Sequence, residues 1–129
     1  IAEDNAINME IAEYLAEDAG AEVVKAFDGK EAVEKFAASE EDEFDVILMD
    51  ITMPGTDGLE ATKRIRALER ADAKTVPIIA MTANLFIQDI EKCMSVGMNS
   101  YLPKPINPEQ FVKAVSEQSK KRLNEESIQ

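Results

Sequence analysis

Five polar residues in this 129-residue chain stand where short apolar runs end: Glu3 and Asp4 after Ile1-Ala2, Asp50, Thr82 and Lys104. Three carboxylates gathered at one place repel one another unless a cation sits among them. The chain has no His and a single Cys, so such a cation would be bound by oxygen alone, which selects a hard ion such as Mg²⁺. Magnesium keeps several waters and accepts a phosphate oxygen, which makes one carboxylate of the set, Asp50, a candidate nucleophile toward phosphorus. The ammonium of Lys104 and the hydroxyl of Thr82 are suitable donors to the remaining phosphoryl oxygens. The candidate chemistry is phosphoryl transfer to Asp50, with Glu3, Asp4 and Asp50 as metal ligands.

Each residue also has a plainer reading. The Asp4-Asn5 pair suits a helix cap. Thr82 could be a turn residue, Lys104 a solvated charge and Asp50 a turn former. The chemical reading rests on coincidence, since the plain readings must hold separately for all five positions at one edge of one sheet.

The elements that would place them there are legible. Residues 44–50, Phe-Asp-Val-Ile-Leu-Met-Asp, and 76–82, Val-Pro-Ile-Ile-Ala-Met-Thr, are short continuous apolar runs, the pattern of parallel strands covered on both faces. Residues 21–26 predict a weaker strand and 100–102 a short one. Between them lie five helical segments. The first covers about 6–19, with Ile7, Ile11 and Leu15 at i, i+4, i+8, and stops at Gly20. Asp28-Gly-Lys-Glu31 resembles a capping box for a second helix carrying Val33 and Phe36. The third starts near Gly58 with Leu59, Ile65 and Leu68, and the fourth covers about 86–96, closed by Gly97. In the last, Asn107 caps, Pro108 takes the first helical position, and Phe111, Val112 and Val115 are expected to face inward.

Alternating strands and helices predict an α/β fold, a doubly wound open parallel sheet with helices on both faces. Ligands of such sheets bind outside the carboxyl ends of the strands, where the five polar residues fall. Only Ile1 and Ala2 precede the acidic pair, so the first strand is truncated in this chain, and residues upstream of Ile1 are expected to have been lost. Buried backbone groups left unpaired beside so short a strand would cost about 1–3 kcal/mol each.

With 45% hydrophobic residues the chain can bury one core. A net charge of −12 repels phosphate backbones and argues against direct nucleic acid binding. One cysteine, Cys93, excludes an intrachain disulfide, and there is no apolar run long enough for a membrane segment, so a cytoplasmic setting is expected. Met53, Met81 and Met94 read as packing residues.

In these residues the chain resembles the receiver domain of two-component response regulators. The matching segments are Glu3-Asp4-Asn5, Asp50-Ile-Thr-Met-Pro-Gly-Thr-Asp-Gly58, Pro77-Ile-Ile-Ala-Met-Thr-Ala83 and Gly97-Met-Asn-Ser-Tyr-Leu-Pro-Lys-Pro105. The Glu-Asp-Asn opening and the Leu-Pro-Lys-Pro-Ile run are most like receivers of hybrid sensor histidine kinases. The resemblance implies a flavodoxin-like five-stranded sheet in the order 2-1-3-4-5. It implies that Asp50 is the phosphoacceptor, taking the group from a histidine kinase or histidine phosphotransfer protein. Glu3, Asp4, Asp50 and the Thr52 backbone carbonyl would bind Mg²⁺, Lys104 would contact the phosphoryl group, and Thr82 and Tyr101 would form a switch pair. It also implies a cis peptide between Lys104 and Pro105.

On this reading residues 1–116 are a receiver domain, not an enzyme, and 117–129 a polar tail or helix extension. A magnesium-dependent aspartyl-phosphate phosphatase is disfavoured because Thr52 stands where that family needs a second acid. A receiver-like binding module that is never phosphorylated would lack one of the five residues, and a flavin carrier would need a Ser/Thr-rich loop after the first strand. Leu85, Phe86 and Ile87 open the fourth helix with more apolar surface than one buried stripe needs, which predicts a partner patch. A dimer formed by exchanging a segment with a second copy is a further possibility.

Overall fold

A computed structural model describes residues 1–83 and 86–128, with side chains to residue 119. Among the described residues, three parallel strands form the sheet in the order β1-β2-β3: β1 (Ile47–Asp50), β2 (Ile78–Thr82) and β3 (Ser100–Pro103). Asp50 is level with Met81, and Thr82 with Pro103. The helices around it are α1 (Ala6–Asp18), α2 (Gly29–Ala38), α3 (Gly58–Arg66), α4 (Ala71–Thr75), α5 (Ile87–Ser95) and α6 (Pro108–Ile128). α4 was not foreseen from the sequence, and α6 carries the polar tail on as helix.

The expected five strands are present as three strands and two single-bridge segments. Ala2 bridges Met49 on one side and Ala26 on the other, both parallel, which preserves the order 2-1-3-4-5. The expected strand over 21–26 makes no ladder. Among the described residues its one bridge is from Ala26 to Ala2 of the two-residue stretch Ile1-Ala2. An apolar cavity of about 100 Å³ remains beside this stretch, lined by Ala16, Val23, Phe36 and Leu48 among others.

Alternation along the strands divides the core in two. Met49, Ile78 and Ala80 pack with Phe36, Ile65 and Cys93 of α2, α3 and α5. Leu48, Ile79 and Met81 pack with Ala12, Ala16 and Phe111 of α1 and α6. Helices therefore cover both faces, as continuous apolar strands require.

The expected helix caps are made. Asn5 Oδ1 accepts from the Asn8 N–H at 2.9 Å, Asp28 Oδ1 from Glu31 at 2.7 Å and Asn107 Oδ1 from Gln110 at 3.0 Å. α5 closes at Gly97, whose φ of 106° lies in the left-handed region that suits glycine.

Two buried faces differ from expectation. α1 buries Met9, Ala12 and Ala16, while Ile7 and Ile11 are 68% and 44% exposed. The small alanines let the helix lie close to the sheet, and the branched side chains are turned to solvent. In α6, Phe111 is fully buried and Val115 packs partly buried against the same core, but Val112 is exposed.

The acidic loop 39–43 is anchored by Arg70. Arg70 Nη1 donates to the carbonyls of Phe36 and Ser39, and its guanidinium lies 4.8 Å from the Phe36 ring centre. Arg70 also pairs with buried Asp72 at 2.6 Å, and Asp72 Oδ2 accepts from the Asp42 N–H. Met53 and Met81 are buried, whereas Met94 is 39% exposed. Among the described residues no helix is long and apolar enough to cross a membrane.

Candidate functional site

The site is built where chain segments stop at one edge of the sheet. Asp50 ends β1, and its backbone N–H donates to the Ala2 carbonyl at 2.9 Å, which ties it to the segment carrying Glu3. The Lys104 N–H donates to the Thr82 carbonyl at 2.8 Å, so the lysine follows β3 beside the end of β2. The loop after Asp50 is held by Ile51, whose N–H donates to Met81 and whose carbonyl accepts from Gly58 at 3.0 Å. Gly58 opens α3 against Asp50: a Cβ added there would lie 2.2 Å from the Asp50 carbonyl oxygen.

The side chains converge. Lys104 Nζ donates to Glu3 Oε1 at 2.9 Å and lies 3.0 Å from Asp50 Oδ2. The Thr52 N–H donates to Asp50 Oδ1 at 3.2 Å. Glu3 and Asp50 are buried, Asp4 is exposed, and one oxygen from each of the three lies within 4.8 Å of the others. The Lys104–Pro105 peptide is cis.

Burial drives the Asp50 carboxyl up, and its hydrogen bond and charge repulsion with Glu3 add to this against the pull of Lys104, so its pKa stands at about 7. Burial acts on Glu3 in the same sense, but hydrogen bonds with Asp50 and Lys104 outweigh it and hold Glu3 below the usual carboxylate range. Of the two carboxyls, Asp50 is therefore the one that holds a proton more readily. Lys104 is disfavoured by burial, yet its two carboxylate partners raise its pKa. Asn8, on the first turn of α1, adds a weaker favourable contact to Glu3. Nothing in the residue pattern singled it out.

A divalent cation fits this donor set. Among the described residues Glu3 Oε2 has no hydrogen-bond partner although it is buried, and an orphaned carboxylate oxygen beside two further carboxylates is a ligand position for a hard ion. Glu3, Asp4 and Asp50 are the residues that could hold it.

Thr82 is buried and Tyr101 is 41% exposed. Tyr101 is in register with Ala80, so alternation puts Tyr101 and Thr82 on the same sheet face, one step apart on neighbouring strands. Phe86 and Ile87 at the start of α5 are 71% and 74% exposed; Leu85 lies outside the described residues.

A doubly wound parallel sheet with an acidic pocket and a lysine at its carboxyl edge defines the class, and comparison with known proteins gives the family. The chain belongs to the response regulator receiver domain family, whose model matches residues 1–116. It is 38% identical over 97% of its length to hybrid signal transduction histidine kinase I of Dictyostelium discoideum. It is 40% identical over 88% of its length to the sensor protein GacS of Pseudomonas syringae. It spans only 7% and 12% of those two proteins. Among solved structures, the receiver domain of a Pseudomonas aeruginosa sensor histidine kinase, with a magnesium ion coordinated in its active-site cleft, superposes with a TM-score of 0.81. Identity to it is 36%, over 92% of this chain and 93% of that one. A Vibrio cholerae chemotaxis protein superposes with a TM-score of 0.82 at 31% identity, over 90% and 92% of the two chains. The chain is thus a receiver domain of two-component signalling, with the phosphoacceptor function of that family. The phosphatase and flavin-carrier readings gain no support.

Proposed function

We propose that Asp50 accepts the phosphoryl group of a partner's phosphohistidine, in a site that Glu3, Asp4, Asp50 and the Thr52 carbonyl complete with Mg²⁺. The observation that carries this reading is the Lys104 ammonium held between Glu3 and Asp50, 2.9 and 3.0 Å away, beside the unpartnered Glu3 Oε2. A bound divalent cation would supply charge neutralisation for the carboxylates and the incoming phosphoryl oxygens. Asp50 must be ionised to attack, and Lys104 favours that state. An Asp50 oxygen bonds to phosphorus as the phosphorus–nitrogen bond breaks, and the imidazole keeps the electron pair and takes up a proton. Lys104 stays at hand to neutralise a phosphoryl oxygen, and the Thr52 N–H holds the carboxylate in orientation.

In this reading the chain is an acceptor rather than an enzyme, and residues 1–116 are the unit that does the work. A cytoplasmic setting suits its single buried thiol, Cys93. Thr82 and Tyr101 serve as the switch: the Thr82 hydroxyl bonds to the new phosphoryl group, and the Tyr101 ring moves toward the space it leaves. The test is intact mass after acetyl phosphate and Mg²⁺. The parent gains one phosphoryl group and Asp50→Asn gains none; equal labelling of the two sinks the reading.

The donor is a histidine kinase or a histidine phosphotransfer protein, and α1 offers it a place to dock. Ile7, Ile11 and Tyr14 are 68%, 44% and 67% exposed and lie at i, i+4, i+7, one stripe of the helix that starts just after Asp4. Replacing Ile7 and Ile11 by Asp should slow transfer from a phosphohistidine protein by roughly ten-fold or more. Labelling by acetyl phosphate should be unchanged. Equal slowing of both donors would mean that the substitutions had damaged the pocket instead.

A further inference from the structure

The chain carries 26 acidic and 14 basic side chains, so a concave surface lined by cations alone runs against its composition. One exists between α3 and α5. Lys63 and Arg66 line one wall and Lys92 the other, over an aliphatic floor that includes Leu59 and Val96, with no carboxylate among the lining residues. Among the described residues, none of the three cations has a carboxylate within ion-pair distance.

Arg66 is held in place by neutral acceptors. It donates to the Gly97 carbonyl at 2.7 Å, Asn99 Oδ1 at 2.9 Å and the Ala73 carbonyl at 3.1 Å. Its charge is thereby fixed at the groove without being cancelled. Lys63 and Lys92 are exposed and bring mobile donors on flexible stems. Each cation singly suits the last turn of its helix. That effect does not explain why they meet across an apolar floor.

We infer that this groove is a docking site for an acidic amphipathic segment of a partner protein. Apolar side chains of the segment lie on Leu59 and Val96, and its carboxylates meet Lys63, Arg66 and Lys92. The chemistry of the groove favours this occupant over small anions. Both helices present their C-terminal ends here, whose carbonyls repel a compact phosphate. No aromatic side chain lines the groove to stack a nucleobase. Spaced carboxylates on a chain reach the lysine ammoniums without entering the carbonyl field.

The inference is independent of Asp50 and is tested on the full chain by amide NMR. The probe is an acetylated peptide of alternating Glu pairs and Leu; its controls are the same peptide with Lys for Glu, and inorganic phosphate. The acidic peptide should shift signals of Leu59, Lys63, Lys92 and Val96, and the basic peptide should not. The Lys63→Glu/Lys92→Glu protein should bind it roughly ten-fold more weakly. If charge reversal lowers the melting temperature, the Lys63→Ala/Lys92→Ala protein replaces it and should still bind more weakly than the parent. No shift at millimolar peptide, undiminished binding by the variants, or the same shifts from phosphate alone would overturn the proposal.

Discussion

Gly58→Ala should lower the unfolding free energy by about 3 kcal/mol, the upper range for overpacking a filled site. For a domain of this size that is a fall in melting temperature of roughly 10 °C. The cause is space. An added Cβ would sit 2.2 Å from the Asp50 carbonyl oxygen and 2.9 Å from the Ile51 Cα. Both obstacles are backbone, so relief requires α3 to withdraw from the end of β1. The Gly58 N–H bond to Ile51 and the Asp57 cap on Glu60 would be strained together. Because Asp50 is part of the displaced backbone, labelling by acetyl phosphate should fall as well. A melting temperature within a degree or two of the parent would show that α3 moves away at little cost.

Without divalent cation at neutral pH, Asp50→Asn should melt above its parent. The parent holds two buried carboxyls around one lysine, and burial and Glu3 raise Asp50 to about 7. An unfolded Asp ionises near 4, so between about pH 4 and 7 the folded state binds the extra proton. Stability is then highest below this window and falls as pH rises through it, levelling off above the folded value. The lowered pKa of Glu3 acts the opposite way and only at lower pH, where its contribution is lost as pH falls. The expected loss across the window is about 2 kcal/mol, half of what the full shift would give, because solvent reaches the site and Glu3 shares the proton. The asparagine protein should lack this slope. Millimolar Mg²⁺ should flatten the slope in the parent and raise its melting temperature, and should do neither in the variant. Parallel pH profiles of the two proteins in chelator would mean that Asp50 is not the group that keeps the proton.

The amino-acid order was sufficient for a good part of this molecule. Residues 46–49 and 76–81, which lead into Asp50 and Thr82, are continuously apolar, the pattern of strands buried on both faces. That sets the parallel sheet, the helices on either side, and the edge where Asp50, Thr82 and Lys104 end up. The caps at Asn5, Asp28 and Asn107 are local chemistry and were equally legible. What stayed hidden depends on which surfaces meet. The apolar spacing of Ile7, Ile11 and Leu15 marks a helix, but the sheet took the face with Ala12 and Ala16 because close approach requires small side chains. The strand expected over 21–26 lacks a ladder because pairing needs a partner as long as itself, and its partner here is Ile1-Ala2. Arg66 and Arg70 each bond to a carbonyl oxygen of a segment about 30 residues away in the chain, a pairing that no local pattern marks. The raised pKa of Asp50 lies furthest from the sequence, since it depends on burial and on the ångström distances among Glu3, Asp50 and Lys104, which only the folded chain sets.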